Sequence, residues 1–342
     1  MSAKLRILRS IVEVLVVTLI CIFALYTYRV NTHKVTSGND IGVEFKTAID
    51  IAKGINPYSR ITQHDLLVNK KFATLLPTYY YILLGIANSV DYSQTLYFNA
   101  FRSMIYIAQL TSAVFIYALF RQKGYGLLGI IALSFYMLNR WVIDNISDLK
   151  QDSLAICFLL MSLYFMERRP KLGFFLYGLS VSIKQIGIFA LPIFLLPLVD
   201  KKRDIRQFLR NAVFFLIPTF IPAISFMWHD FSGFVYSMVF SLTRAPATNA
   251  SIPFGYDKIL VLFNPTSYGF LTPFFYLLPR LILLLLLGGV YAQVFLKKIK
   301  NSFALFAVFF IFAAFNPVVY DQYMVWVMPF VFYSISDYLN TV

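Results

Sequence analysis

Past its first apolar run, the chain carries a short acidic stretch, Asn39-Asp40-Ile-Gly-Val-Glu44, and then a glycine–proline turn, Gly54-Ile-Asn56-Pro57-Tyr58. Nearly everything around them is hydrocarbon-like. A carboxylate held at a membrane boundary by a structured loop is where an intramembrane enzyme would do proton chemistry, which singles out Asp40, with Glu44 a helical turn further on. Other polar residues stand out against the apolar background. Asp144, Asp148 and Asp152 recur at four-residue spacing, so a helix running through them stacks them on one face. Lys184 sits in a tight turn between two apolar runs, and Asn316, Asp321, Gln322 and Tyr323 form another such turn. Ionisable groups near bilayer depth are costly, so their convergence reads as a functional site. The competing reading is that a membrane protein must put its loop charges somewhere, and water solvates them.

These residues have to be positioned by helices. Of 342 residues, 59% are hydrophobic and only 13% charged, with a mean hydropathy of +0.70. A soluble domain of this size has no core large enough to hide that much apolar surface. Repeated apolar runs of about 20 residues instead make the chain an all-α, polytopic membrane protein forming a single domain. The first run, Ile11 to Tyr28, exceeds a signal-peptide core and reads as a span. A net charge of +14 would point to nucleic acid in a soluble protein. Here the basic residues sit in short hairpins between spans, so no nucleic-acid partner is expected and membrane lipids are. Cys21 and Cys157 lie inside apolar runs, which implies no disulfide.

Five basic clusters orient the chain: Lys4/Arg6/Arg9, Arg121/Lys123, Arg168/Arg169/Lys171, Lys201/Lys202/Arg203/Arg206/Arg210 and Lys297/Lys298/Lys300. All five face the cytoplasm only if Leu75 to Asn88 does not cross, and its early Pro77 suits a half-inserted helix. The expected spans, about ten in number, are then 11–30, 98–120, 124–139, 152–166, 171–183, 185–199, 208–227, 279–296, 302–317 and 323–340. Both termini are cytoplasmic, and loops 31–97, 140–151 and 228–278 share the outer face with the polar residues above. The compact length and short loops lean towards a prokaryotic plasma membrane.

The first outer loop is legible in more detail. Val43 to Lys53 carries apolar residues on one face and a Lys46/Asp50 pair on the other, the pattern of an interfacial helix. Gly54 supplies its stop, with Pro57 soon after. Asp40, preceding the first turn, suits a helix N-cap as well as it suits a base. Other chemistries find no footing. His33, His64 and His229 are isolated, no glycine loop cradles a phosphate, and no serine has a histidine partner in a local motif. Asn-x-Ser triplets at Asn145 and Asn249 fall in outer loops. The 36 Phe and 23 Tyr residues read as packing and interface side chains.

Four separated stretches together resemble the GT-C superfamily of membrane glycosyltransferases, closest to the catalytic subunit of GPI mannosyltransferase I and to the mannosyltransferases of glycosyltransferase family 87. Asp40 followed by Gly54-Ile-Asn-Pro-Tyr58 is similar to the family's acidic first loop and small-x-Pro-Tyr turn. Lys150-Gln151-Asp152-Ser153, opening a span that ends at Arg168-Arg169, is similar to its polar-Asp-Ser start of the fourth helix. Ser182-Ile-Lys184 before a proline-containing span resembles its Met-Lys turn. Phe315-Asn316-Pro-Val-Val-Tyr-Asp-Gln322-Tyr323-Met-Val-Trp326 resembles its Phe-Asn…Gln-Tyr…Trp signature. The GPI enzymes have an Asp-x-Asp pair in the first loop. Aligned on Gly54, Asp40 takes the second position and Gly38 the first, and a lone carboxylate argues for a base more than for a chelated divalent metal.

The resemblance implies an inverting transfer of a sugar, mannose or another hexose, from a polyprenyl-phosphate-linked donor to a lipid or glycan acceptor. It implies Asp40 as the base and Lys184 as the cation on the leaving phosphate, with Arg244 and Arg280 as alternative cations. Glu44, Tyr58, Asp148, Asp152, Asn316, Gln322 and Tyr323 are the expected substrate-binding residues, and loop 228–278 selects the acceptor. Two other classes share the composition: a lipid or small-molecule transporter, which would show polar residues along both halves of a pathway, and a noncatalytic subunit of a membrane transferase.

Overall fold

A computed structural model of the chain describes residues 3–32, 40–59, 61, 73–200, 205–243, 247–248, 272–316 and 318–339. Helices dominate it. The first, α1 (Ala3–Val30), turns Ile11, Leu15, Leu19 and Ile22 outward and buries Ala24 and Tyr28. The Tyr28 hydroxyl donates to the Met137 carbonyl at 2.7 Å. The second, α2 (Asp40–Ala52), ends where expected. Gly54 adopts φ +76°, the Gly54 N–H reaches the Ile51 carbonyl and the Ile55 N–H the Asp50 carbonyl, both at 2.9 Å, so the last carbonyls of α2 are satisfied. Pro77, at the first turn of α3 (Pro77–Ser89), removes an N–H that would have had no partner. At 13 residues α3 is about 20 Å long, well short of a hydrocarbon core of about 30 Å.

Next come α4 (Gln94–Gln122), α5 (Gly126–Met137) and α6 (Arg140–Ser147), the last two bent by 49° at Asn139. The Asn139 side chain accepts from the Trp141 N–H at 2.9 Å and so caps α6. An antiparallel hairpin follows, α7 (Asp152–Met166) and α8 (Pro170–Ile183), then a 3-10 helix (Gln185–Ala190) and α9 (Leu191–Asp200). The chain continues through α10 (Ile205–Phe220), α11 (Ile224–His229), α12 (Phe231–Thr243), α13 (Thr272–Phe295), α14 (Asn301–Phe315), α15 (Met324–Val327) and α16 (Phe330–Ser336). The β content among the described residues is one two-residue parallel bridge, Ala247–Thr248 with Val318–Val319.

The α7–α8 hairpin is the centre of the bundle. The helix α7 packs on α4 and α8, and α8 packs on α10. At Gly178 a Cβ would lie 2.3 Å from the Phe215 carbonyl oxygen, so only glycine lets α8 and α10 touch backbone to backbone. Among the described residues four stretches are long and apolar enough to cross a bilayer, Ile7–Val30, Gln94–Gln122, Leu209–His229 and Leu277–Phe295, or five with the bent α5–α6 pair. This is a helical bundle suited to a membrane. Helices occur at all the expected span positions, but α7, α8 and α14 have 15, 14 and 15 residues, below the roughly 20 a straight crossing needs.

Basic and acidic side chains meet at one end. Glu13 accepts from Arg9 at 2.8 Å and from the Tyr117 hydroxyl at 2.6 Å, and Arg121 reaches Ser10 at 3.1 Å. Lys123 contacts Asp337 at 2.5 Å and Ser336 at 2.8 Å, its ammonium 4.1 Å from the Tyr333 ring centroid. The start of α1, the end of α4 and the end of α16 therefore share a face. Ser93 lies a whole 29-residue helix, about 43 Å, from Lys123. Single cysteines at positions 38, 93 and 123, in a chain whose Cys21 and Cys157 are replaced, are expected to react with an impermeant maleimide from one side of the membrane for 38 and 93 and from the other for 123. Labelling of 93 and 123 from the same side would remove α4 as a crossing.

Candidate functional site

The open end of the α7–α8 hairpin brings Asp152, the first residue of α7, to Lys184, the residue after α8. Two antiparallel helices of nearly equal length make this meeting unavoidable. It also sets a carboxylate at a helix N-terminus and an ammonium at a helix C-terminus, where the two macrodipoles favour each charge. Asp152 is 0% exposed. Its Oδ1 accepts from Trp326 Nε1 at 2.7 Å, and its Oδ2 faces Lys184 Nζ at 3.4 Å in an ion pair without hydrogen-bond geometry. Lys184 itself is extended (φ −148°, ψ 116°), the break between α8 and the 3-10 helix. The next side chain, Gln185, anchors that break by donating to the Thr74 carbonyl at 2.8 Å.

A second ion pair lies beside the first. Lys150 Nζ and Asp40 Oδ2 are 2.5 Å apart, joining residues 110 positions apart in the chain. The turn that aims Lys150 is unusual. The Leu149 N–H bonds the Ile146 carbonyl at 3.1 Å and the Lys150 N–H the Asn145 carbonyl at 2.9 Å, a helix-ending pattern whose left-handed position glycine normally takes. Leucine occupies it here at φ +53°, a conformation that costs an L-residue about 1–2 kcal/mol. The Leu149 side chain is buried, which offsets that strain. Lys150 is held by opposing effects: burial pulls its pKa down, but Asp40 beside it, with Asp148 and Asp152, raises it above the ordinary lysine value.

Glu44 lies one turn along α2 from Asp40, buried, with its Oε2 accepting from the Tyr79 hydroxyl at 2.6 Å. Desolvation raises its pKa to about 7; Asp40 adds to the rise, while the Tyr79 hydrogen bond and the Lys184 and Lys150 ammoniums oppose it. Asp40, by contrast, is about half exposed. Carboxylates from α2 and α7, ammoniums from two turns, a tyrosine from α3 and a tryptophan from α15 thus meet at the opposite end of the hairpin from Arg168 and Arg169. The arrangement offers a half-exposed carboxylate paired with an ammonium, a buried carboxyl raised towards neutrality, and a second ammonium paired with a buried carboxylate.

Several expectations need correction. Asp144, Asp148 and Asp152 do not stack on one helix, because α6 stops at Ser147 and the Leu149 turn redirects the chain. Asp144 pairs with Arg140 on the surface at 3.4 Å, and Asp148, which caps α6, is close enough to act on Lys150. Asp50 is buried while Lys46 is exposed, so they are not a surface pair. The apolar face of α2, Ile41, Phe45 and Ala48, packs on α3 and α4 and not on a lipid surface. Tyr58 is fully buried, donating to the Leu75 carbonyl at 2.7 Å among Tyr80, Phe226 and Phe234, which makes it a packing strut apart from the charged group. Asn145 is buried and accepts from Ser153 at 3.2 Å, unsuited to carrying a glycan.

Asn316 caps α14, and Gln322 and Tyr323 lie in the half-buried 3-10 turn Asp321–Tyr323, which packs on α6. The Tyr323 ring stands 5.0 Å from Phe312. Arg280 sits half-buried in α13, while Arg244, Gly38, His33, His64, Asn249 and most of loop 228–278 lie outside the described residues. Sequence reasoning missed Tyr79 and the Lys150 partnership. The signal for Tyr79 was three consecutive tyrosines two residues after Pro77, and for Lys150 its place two residues before Asp152. Among the described residues no three His, Cys, Asp or Glu side chains gather as a metal would need. With two lysines interleaved among its carboxylates, this donor set does not fit a divalent cation. In comparisons with protein-family models and with curated proteins, nothing matches this chain.

Two outcomes test this geometry. Trp326→Phe keeps most of the ring packing but removes the donor on a buried carboxylate, so thermal unfolding in detergent should show a loss of about 1.5–3 kcal/mol; an unchanged melt would mean the bond contributes nothing. Glu44 binds a proton more tightly folded (about 7) than unfolded (4.5), so its protonation stabilises the fold fully below pH 4.5, and that contribution is lost as pH rises through 7. Glu44→Gln removes the dependence. The variant should gain on the wild type by up to about 3 kcal/mol between pH 4.5 and 8, read as a widening difference in Tm.

Proposed function

We propose that this protein is a membrane glycosyltransferase of the GT-C type, moving mannose or another hexose from a polyprenyl-phosphate-linked donor to a lipid or glycan acceptor, with inversion. The observation that carries the reading is the meeting of Asp40 and Glu44 with Lys150 and Lys184 at one end of an apolar helical bundle. These residues come from three of the four stretches that resemble that superfamily, and Trp326, bonded to Asp152, comes from the fourth. The shorter helices complete about ten crossings, helped by their flanking turns. Both termini lie with the basic clusters in the cytoplasm, and the charged site opens to the outer face of a prokaryotic plasma membrane.

In the reaction, the acceptor oxygen forms a bond to the anomeric carbon as the bond from that carbon to the phosphate oxygen breaks. The electron pair leaves with the polyprenyl phosphate, and the acceptor proton passes to Asp40. Lys184 stabilises the negative charge growing on the phosphate. Buried Asp152 holds that ammonium at the mouth of the hairpin, and Trp326 holds Asp152. Asn316, Gln322 and Asp148 line the surrounding turns, where sugar hydroxyls need polar partners.

Asp40→Asn keeps size and helix-capping ability but cannot accept a proton at neutral pH. Purified Asp40→Asn should keep its melting temperature and still bind lipid-linked donor while transferring essentially no sugar in a single turnover. Lys184→Ala should lower turnover by about two orders of magnitude or more, with partial rescue by Arg. Robust transfer by the Asn variant would remove Asp40 as the base. Donor movement across the membrane without transfer would favour a transporter.

A further inference from the structure

We propose that Lys150 is a second phosphate-binding residue of this site, held by Asp40 in the structure and handed to the lipid-linked phosphate when donor binds, so that donor capture is what releases Asp40 to act as a base. This rests on the reading of the site as one for a lipid phosphate, and adds a residue and an order of events to it.

The two ion pairs differ in how readily they open. Lys184 is paired with a carboxylate that is 0% exposed, so withdrawing its ammonium would strand a buried charge. Lys150 is paired with a carboxylate that is 50% exposed, which water can solvate once the ammonium leaves. Lys150 is therefore the cation more easily lent to an incoming anion. Lys150 stands two residues before Asp152, the partner of Lys184, so the two ammoniums lie at the same end of the hairpin, where a bound phosphate would accept from both.

Asp40 gains from the exchange. An ammonium at ion-pair distance favours the charged form of a carboxylate and so weakens it as a proton acceptor; moved to the phosphate, the same ammonium leaves a better base and stabilises the leaving group.

The test uses the purified full chain in detergent, titrated with farnesyl phosphate, farnesol and inorganic phosphate, with binding read by thermal shift and microscale thermophoresis. Wild type should prefer farnesyl phosphate to both others. Lys150→Gln should weaken farnesyl phosphate binding by about tenfold and leave farnesol unchanged, and Lys150→Arg should retain most of it. Asp40→Asn should bind farnesyl phosphate about threefold or more tighter than wild type, because the carboxylate that competes for Lys150 is gone. A lysine that merely fixes α2 predicts the opposite for Asp40→Asn, equal or weaker binding. Equal binding by Lys150→Gln, or no tightening in Asp40→Asn, overturns the exchange while leaving the transferase reading in place through Lys184. No preference of wild type for farnesyl phosphate over farnesol, or inorganic phosphate binding as well as the lipid form, overturns the lipid-phosphate reading and this inference with it.

Discussion

A carboxylate with no water contact dictates the arrangement of everything near it. Asp152 is ionisable and 0% exposed, and a charge in that position is tolerated only with partners on both oxygens. Trp326 and Lys184 are those partners. Removing Lys184 leaves an uncompensated charge, which in buried pairs costs about 3–5 kcal/mol, and losing the Trp326 hydrogen bond costs about 1.5–3 kcal/mol. The requirement ties α15 to the start of α7 and fixes the break after α8, because Lys184 reaches Asp152 only if the helix ends there. The lengths of α7 and α8, the packing of α8 on α10 through Gly178, and the anchoring of Gln185 on Thr74 all serve that one meeting.

In hydrocarbon surroundings apolar contact between helices is a weak organiser, since lipid tails are as apolar as leucine, and polar contacts and close packing carry more of the specificity. The bundle shows both. At one end Glu13, Tyr117, Arg121, Lys123 and Asp337 tie three distant segments together. At the other, α2 is held over the hairpin by Tyr79 on Glu44 and by Lys150 on Asp40. Between the two ends the buried residues are almost entirely apolar or small. Polar pairing at the ends sets which helices are neighbours, and the apolar middle follows.

What could be read from the sequence was whatever local chemistry decides. The Gly54 stop, the Pro77 start and the break at Lys184 each follow from one residue and its neighbours, and all three are in the structure. The approach of Asp40, Glu44, Asp152 and Lys184 to one end followed from placing basic hairpins on the opposite face. The failures have a common cause. Leu149 adopts φ +53° because its side chain is buried, a tertiary fact with no local signature, and the expected aspartate stack fails with it. Asp50 and Lys46 have the spacing of a helix pair, but tertiary packing buries Asp50 and leaves Lys46 exposed. Tyr58 looked like a ligand because its glycine–proline turn is distinctive, yet the distinctiveness belongs to a packing strut under α12.

The two ion pairs of the site follow one electrostatic plan in two environments. In each, an aspartate opens a helix, Asp40 on α2 and Asp152 on α7, and meets a lysine just past the end of another, Lys150 after α6 and Lys184 after α8. The macrodipoles contribute about 0.3–1 kcal/mol to each charge, so neither pair depends on the ionic contact alone. Burial then separates them. The contact of Lys184 with Asp152 cannot open without a large desolvation penalty, whereas in that of Lys150 with Asp40 the carboxylate is half-exposed and open to water. One pair is closed off from water on its carboxylate side and the other is not. Glu44, a turn from Asp40 and buried like Asp152, is the carboxyl on which both ammoniums act.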